Sequence, residues 1–281
     1  MEELDLDKYK YISPKDYPNL FFFRMLVIGS SGSGKTFSTT NFLNEIADNL
    51  DKVYVINPAC DKQIRNVANK VNLYKEYDNS DNATLETIIA EIKMDINTFK
   101  KYMFYKELYN RFKKLKIPED IHIPFFLEQS GFEKNEIRLL KAYDYQPTKI
   151  AFMDFDYKIR PPNSLIILDD CVGSSIYREG RSPLINFLIK SRHFKTNIIL
   201  LSQYHKAVPK RIRANITHFV LFKSFDRTLI QSIYDEINSY LSFEEFEQLF
   251  KENTKEKYSF IVIDLKNQRI TRGWNDVIYS F

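Results

Sequence analysis

Gly29-Ser30-Ser31-Gly32-Ser33-Gly34-Lys35-Thr36 is the stretch of this 281-residue chain whose residue types and spacing point most directly to a chemistry. It fits G-x-x-x-x-G-K-[ST], with a mostly apolar run, Phe21–Ile28, before it, interrupted only by Arg24, and helix-like periodicity after it. Glycines without a Cβ let the backbone wrap a phosphate with its N–H groups turned inward. A helix starting there adds unpaired N–H groups and the positive end of its dipole. Lys35 then reaches the β- and γ-phosphates, and the Thr36 hydroxyl is placed to bind Mg²⁺. The alternative is a Ser/Gly-rich turn that binds nothing. Only seven glycines occur in the chain, and three of them fall in positions 29–34, which argues against it. The expected ligands are ATP and Mg²⁺.

Further residues carry chemistry only in company with that loop. Asp169 and Asp170 end an apolar run, Leu165–Leu168. A buried strand would deliver Asp169 to the sheet edge as a second Mg²⁺ ligand. Asp170 stands where an acid could orient and deprotonate an attacking water, although Asp reaches one methylene less than Glu. If the strand Asn197–Leu201 lies between the phosphate-loop strand and the Asp169 strand, Gln203 at its end faces the γ-phosphate. Its amide could donate to a phosphate oxygen and accept from the water. Ser202 is a weaker candidate. Arg192 and Arg213 each precede a strand, and either could reach a neighbouring subunit's γ-phosphate as a finger in trans. His193 and His205 lack partners at metal-ligand spacing and read as structural.

Positioning these groups requires alternating strands and helices. Val53–Asn57, Ser164–Asp170, Asn197–Gln203 and Thr217–Lys223 read as further short strands, and Thr36–Leu50 and Leu184–His193 as helices. The pattern implies an α/β fold with an open, mainly parallel sheet and ligands at the carboxyl ends of its strands. Residues 1–20 read as an irregular arm before one large domain, 21–281. Within it, about 83–146 reads as a helical insertion, since a core of this kind expects a short connection there. Its Lys100, Lys101, Lys106, Arg111, Lys113, Lys114 and Lys116 could face DNA or simply form a solvated helix face. Tyr258–Asp264 and Ile270–Trp274 read as a C-terminal β-hairpin, about 258–275.

Composition narrows the class. The net charge of +4 permits a polyanionic partner without demanding one. Cys60 and Cys171 form neither a metal motif nor a disulfide framework, which fits a reducing compartment. The polar start lacks the plan of a signal peptide, and no apolar run has the roughly 18 residues of a membrane span. The expectation is a soluble intracellular protein without a membrane partner.

In motif order the chain resembles the FtsK–HerA superfamily of DNA-pumping ATPases. Within it, the chain is most similar to the poxvirus-type genome-packaging ATPases of large nucleocytoplasmic DNA viruses and virophages. The residues that carry this are GSSGSGKT, LIILDDC and SRHFKTNIILLSQYHKAVPKRIRANITHFVLFK, the last being the most specific. The resemblance covers Phe21–Asn57 and Asn163–Lys223. It implies a RecA-like P-loop NTPase fold of the ASCE type. Lys35 and Thr36 would act at nucleotide and metal, Asp169 and Asp170 at metal and water, Gln203 as sensor and Arg192 as finger. The implied active form is a ring, hexameric or pentameric, around double-stranded DNA, with capsid or portal proteins as further partners. Its place would be the host cytoplasm or viral factory, or the virion. The competing reading is a P-loop nucleotide or small-molecule kinase acting without DNA. A GTPase is disfavoured, because Asn69-Lys70-Val71-Asn72 lacks the base-reading Asp.

Overall fold

The computed structural model describes residues 5–11, 13–15, 17, 19–58, 63–146, 159–178, 182–237 and 241–281. Its framework is a nine-stranded sheet: β1 (Arg24–Ile28), β2 (Lys52–Ile56), β3 (Leu73–Tyr77), β4 (Ser164–Asp169), β5 (Thr196–Ser202), β6 (His218–Phe222), β7 (Phe260–Asp264), β8 (Arg269–Arg272) and β9 (Asp276–Ser280). The spatial order is β3-β2-β4-β5-β1-β6-β7-β8-β9. The six strands from β3 to β6 are parallel, and β7–β9 continue the sheet as an antiparallel meander. The result is an open, mainly parallel α/β sheet in which β5 lies between β1 and β4.

The central strands are apolar at nearly every position because helices cover both faces. Alternate residues sort to the two sides. Leu26, Ile28, Ile166, Leu168, Ile198 and Leu200 join one core, and Met25, Val27, Leu165, Ile167, Ile199 and Leu201 the other. Phe42, Leu43 and Ile46 of α1 (Lys35–Ile46) pack in the second core, so the helix that follows the phosphate loop is fixed to the sheet. Each such side chain, fully buried, stabilises the fold by roughly 1.5–3 kcal/mol.

Two compact units are present. The larger comprises Asp7–Ile92 and Pro162–Phe281 and contains the sheet; the smaller contains Lys93–Pro161. Within the smaller unit, α3 (Ile123–Gln129) and α4 (Lys134–Ala142) bury Leu127 and Leu140 with Leu108, Phe112 and Phe132. Leu108 and Phe112 belong to α2 (Asn82–Lys113), a 32-residue helix. Arg111 of this unit donates to Glu136 at 2.7 Å and lies over the Phe132 ring, so this cation is committed to the unit's own packing.

Several elements differ from the sequence reading. The edge strand β3 was not expected, because Leu73-Tyr74-Lys75-Glu76-Tyr77 is half-polar and only partly buried. The helical segment therefore follows the third strand in sequence, not the second. The sequence pattern predicts a helix over Ala59–Val71; Gln63–Lys70 of it is a 3-10 helix, and 59–62, with Cys60, lies outside the described residues. The C-terminal segment adds a third strand, β9, to the expected pair. No helix among the described residues is long and apolar enough to cross a membrane.

Candidate active site

β1 ends at Ile28, and the Gly29 N–H donates to the Ser202 carbonyl at 3.3 Å, which ties the loop to the end of β5. Gly29 is needed for close approach: a Cβ there would lie 2.5 Å from Ser33 Oγ and 2.8 Å from Phe222 Cβ. Gly34 is needed for conformation, with φ 97° and ψ 11° in the left-handed region. α1 then begins at Lys35 without a side-chain cap, leaving first-turn N–H groups directed into the loop. The Ser33 hydroxyl is buried there without a hydrogen-bond partner. A glycine cradle, an uncapped helix start and an orphaned hydroxyl together fit a phosphate group.

Lys35 Nζ donates to the carbonyls of Gly29 at 2.6 Å and Ser30 at 2.9 Å. Burial lowers its pKa, while the negative charges of Asp169 and Asp170 oppose that shift. Those carboxylates thus share the electrostatic environment of the loop lysine. Asp169 ends β4 opposite Leu201 and is 8% exposed. Asp170 follows with φ 51° and donates its N–H to the Leu201 carbonyl at 3.3 Å. Gln203 Nε2 donates to Asp170 Oδ2 at 3.4 Å. The carboxyl ends of β1, β5 and β4 therefore place the phosphate loop, Gln203 and the Asp169-Asp170 pair side by side. Thr36 and Asp169 offer the hard oxygen donors that suit Mg²⁺, which takes one or two protein oxygens and completes its shell with phosphates and water. No cluster of three or more His, Cys, Asp or Glu able to hold a metal occurs among the described residues.

Neighbouring groups are structural. The Cys171 thiol is buried and pushed up to about 12 by burial, then by Asp169 and Asp170, so it is no thiolate nucleophile. Ser202 Oγ donates to the Tyr204 carbonyl and accepts from its N–H, closing the turn after β5.

The two candidate arginines part company. Arg192 lies just ahead of β5, at the amino ends of the strands and away from the chain's own loop; it is 66% exposed and pairs with Asp7 at 3.3 Å. Arg213 is 12% exposed and grips Glu236 through Nε at 2.9 Å and Nη2 at 2.8 Å, and also donates to the Val208 carbonyl. His205 shares Glu236 at 3.2 Å and meets Ser232 Oγ at 3.1 Å. Arg213 braces the helix Arg227–Ile237, which corrects its reading as a finger: the guanidinium is turned into its own fold. His193 is exposed.

Sequence reasoning missed the cleft beside the loop. A space of about 460 Å³ is lined by Gly29, Ser30, Gly32 and Ser33, and by Phe225, Lys257 and Tyr258, among others. Phe225, a lone aromatic in the polar stretch Ser224–Arg227, was the available signal.

Residues 133–268 match the family described as the poxvirus A32 protein. The match takes in just under half of the chain. It holds Asp169, Asp170, Arg192 and Gln203, while the phosphate loop precedes it. The chain is similar to DNA packaging protein OPG160 of Variola virus and of Vaccinia virus, 38% identical over 101 residues in each case. The alignment takes in 36% of this chain and 34% of each relative, so the chain spans about a third of their length. The uncharacterized protein 088R of Invertebrate iridescent virus 3 is 24% identical over 122 residues, 43% of this chain and 45% of that protein. Among solved structures, the genome packaging NTPase B204 of Sulfolobus turreted icosahedral virus 2, in complex with AMPPCP, aligns over 90% of this chain and 97% of its own, with 13% identity and a TM-score of 0.48.

Proposed function

We propose that this chain is an ATPase that drives double-stranded DNA into a viral capsid during assembly in the host cell. The observation that carries the hydrolytic part is the Gln203–Asp170 contact at the strand ends beside the phosphate loop. A phosphate-binding loop alone serves transfer to any acceptor; an amide and a carboxylate paired there suit water. Gln203 would hold the water against the γ-phosphate, and Asp170 would accept its proton. Lys35 would exchange the Gly29 and Ser30 carbonyls for phosphate oxygens. Thr36 and Asp169 would hold Mg²⁺, which when bound neutralises charge on the β- and γ-phosphates.

Arg192 would complete the site of a neighbour. It stands at the amino ends of the strands, opposite its own loop at their carboxyl ends, so reaching a γ-phosphate requires a second copy, arranged in a hexameric or pentameric ring. The DNA-packaging part is supported by the A32-family stretch and by the OPG160 relatives. The turn after β5 exposes Lys206, Lys210 and Arg211 while Arg213 turns inward. Exposed cations of that kind suit a sequence-independent, salt-sensitive grip on the DNA backbone.

The test is phosphate release with and without duplex DNA, over a range of protein concentration. DNA stimulation that grows with assembly supports the proposal. A strict monomer that ignores DNA, or one that phosphorylates an added acceptor in place of water, defeats it in favour of a kinase.

A further inference from the structure

The cleft beside the phosphate loop has a second wall that phosphate binding does not explain. Phe225, Tyr204 and Tyr258 are 91%, 69% and 54% exposed, and all three line this cleft. Three large aromatic surfaces left to water around one concavity carry a solvation cost that a flat, apolar-faced ligand would relieve. Tyr258 is also held in an unfavourable backbone conformation, φ 68°, which is rare for a bulky residue. In that conformation its ring packs on the loop: a Cβ on Gly34 would come within 3.1 Å of Tyr258 Cδ1. Strain of this kind persists where the surrounding structure needs the side chain in one place. Lys257 Nζ lies 4.7 Å from the centre of the Tyr258 ring, and Lys223 Nζ 5.4 Å from that of Phe225, so the aromatic wall is also electropositive.

Three polar side chains on that wall are engaged within their own loops. Asp226 Oδ1 accepts from the Thr228 and Leu229 N–H groups at 2.9 and 3.3 Å, capping the helix that follows. Ser224 Oγ accepts from the Asp226 N–H at 3.1 Å, and Ser259 Oγ donates to the Glu256 carbonyl at 2.7 Å. Aromatic faces are available here, while Ser224, Ser259 and Asp226 Oδ1 are turned to their own loops.

We infer that the cleft formed by Phe225 and Tyr258 is the nucleobase subsite, and that it holds the base by stacking without reading its edge. The inference rests on the reading that the phosphate loop holds a nucleoside triphosphate. Every base has a π-face, so ATP and GTP are both accepted, as stacking platforms for single-stranded nucleic acids accept any base.

The test is calorimetric titration of the full chain with Mg²⁺ and ATP, GTP or inorganic tripolyphosphate, the last probing the loop alone. In the wild type, ATP and GTP bind with similar affinity. Phe225→Ala weakens both by about tenfold or more and leaves tripolyphosphate unchanged, and Phe225→Trp restores nucleotide binding. At 91% exposure Phe225 can be truncated without loss of the core. ATP affinity untouched by Phe225→Ala, an equal loss for tripolyphosphate, or GTP bound far more weakly than ATP would each overturn the inference. If tripolyphosphate itself shows no binding that depends on Lys35, the nucleotide reading fails, and the base subsite with it.

Discussion

Substituting Gly29 by alanine tests whether the phosphate loop is built against the sheet as described. The new Cβ would meet Ser33 Oγ at 2.5 Å and Phe222 Cβ at 2.8 Å, both inside normal contact. The Ser33 hydroxyl has no hydrogen bond to lose and can turn aside. Phe222 cannot. It is 2% exposed, its strand is paired with β7, and its ring sits 4.9 Å from that of Phe260. Overpacking of this kind costs about 1–3 kcal/mol. The control is Gly32→Ala, which meets nothing within 4 Å but must hold φ 72°, a strain of about 1–2 kcal/mol. Urea unfolding then separates the two causes. Adding Ser33→Ala to Gly29→Ala should recover less than half of the loss, because the Phe222 contact remains, and it should do nothing for Gly32→Ala. Affinity for a non-hydrolysable ATP analogue should fall with Gly29→Ala, since the loop must lift from β6. Full stability in Gly29→Ala, or full rescue by Ser33→Ala, would refute the packing described.

Three further outcomes are expected. Arg213→Ala should cost about 2 kcal/mol by urea unfolding, because it leaves Glu236 and the Val208 carbonyl without their charged donor. Arg192→Ala should leave stability within about 0.5 kcal/mol, its pair with Asp7 being exposed, yet abolish phosphate release in the assembled form; equal stability losses in the two variants would contradict this division of roles. Burial raises the Asp264 pKa, but the hydrogen bond and charge of His218, with Asn267, outweigh it and hold the carboxyl well below its ordinary 3.8. A depressed value contributes stability that is complete above about pH 3.8 and lost as pH falls below it, so the acid-unfolding slope under pH 4 should be shallower in Asp264→Asn; an unchanged slope would show that the carboxylate contributes nothing there.

The sheet was legible because the buried strands are continuous apolar runs, which sequence marks plainly. The edge strand β3 was not, since Lys75 and Glu76 break the pattern: Lys75 bonds Glu91 of α2 at 2.8 Å and Arg65 pairs with Glu76 at 2.5 Å. Strand β9 escaped for a similar reason, with most of its residues partly or fully exposed. Of the candidate site, the phosphate loop and the acids announce themselves by type. The proximity of Gln203 to Asp170 depended on β5 lying between β1 and β4, which no local pattern dictates. Arg192 and Arg213 read alike in sequence, each a basic residue shortly before a strand. Only the fold separates them, by burying one against Glu236 and leaving the other exposed at the amino ends of the strands. The aromatic cleft joins Tyr204, Phe225 and Tyr258 from three separate loops, and spacing could not bring them together.

The proposed conversion of a phosphate-binding loop into a hydrolytic site rests on Gln203 and Asp170. It is tested most directly by Gln203→Ala, measured for binding of a non-hydrolysable ATP analogue and for phosphate release with duplex DNA. Retained analogue affinity with phosphate release reduced about a hundredfold or more is the predicted result. Phosphate release at the wild-type rate would contradict the account.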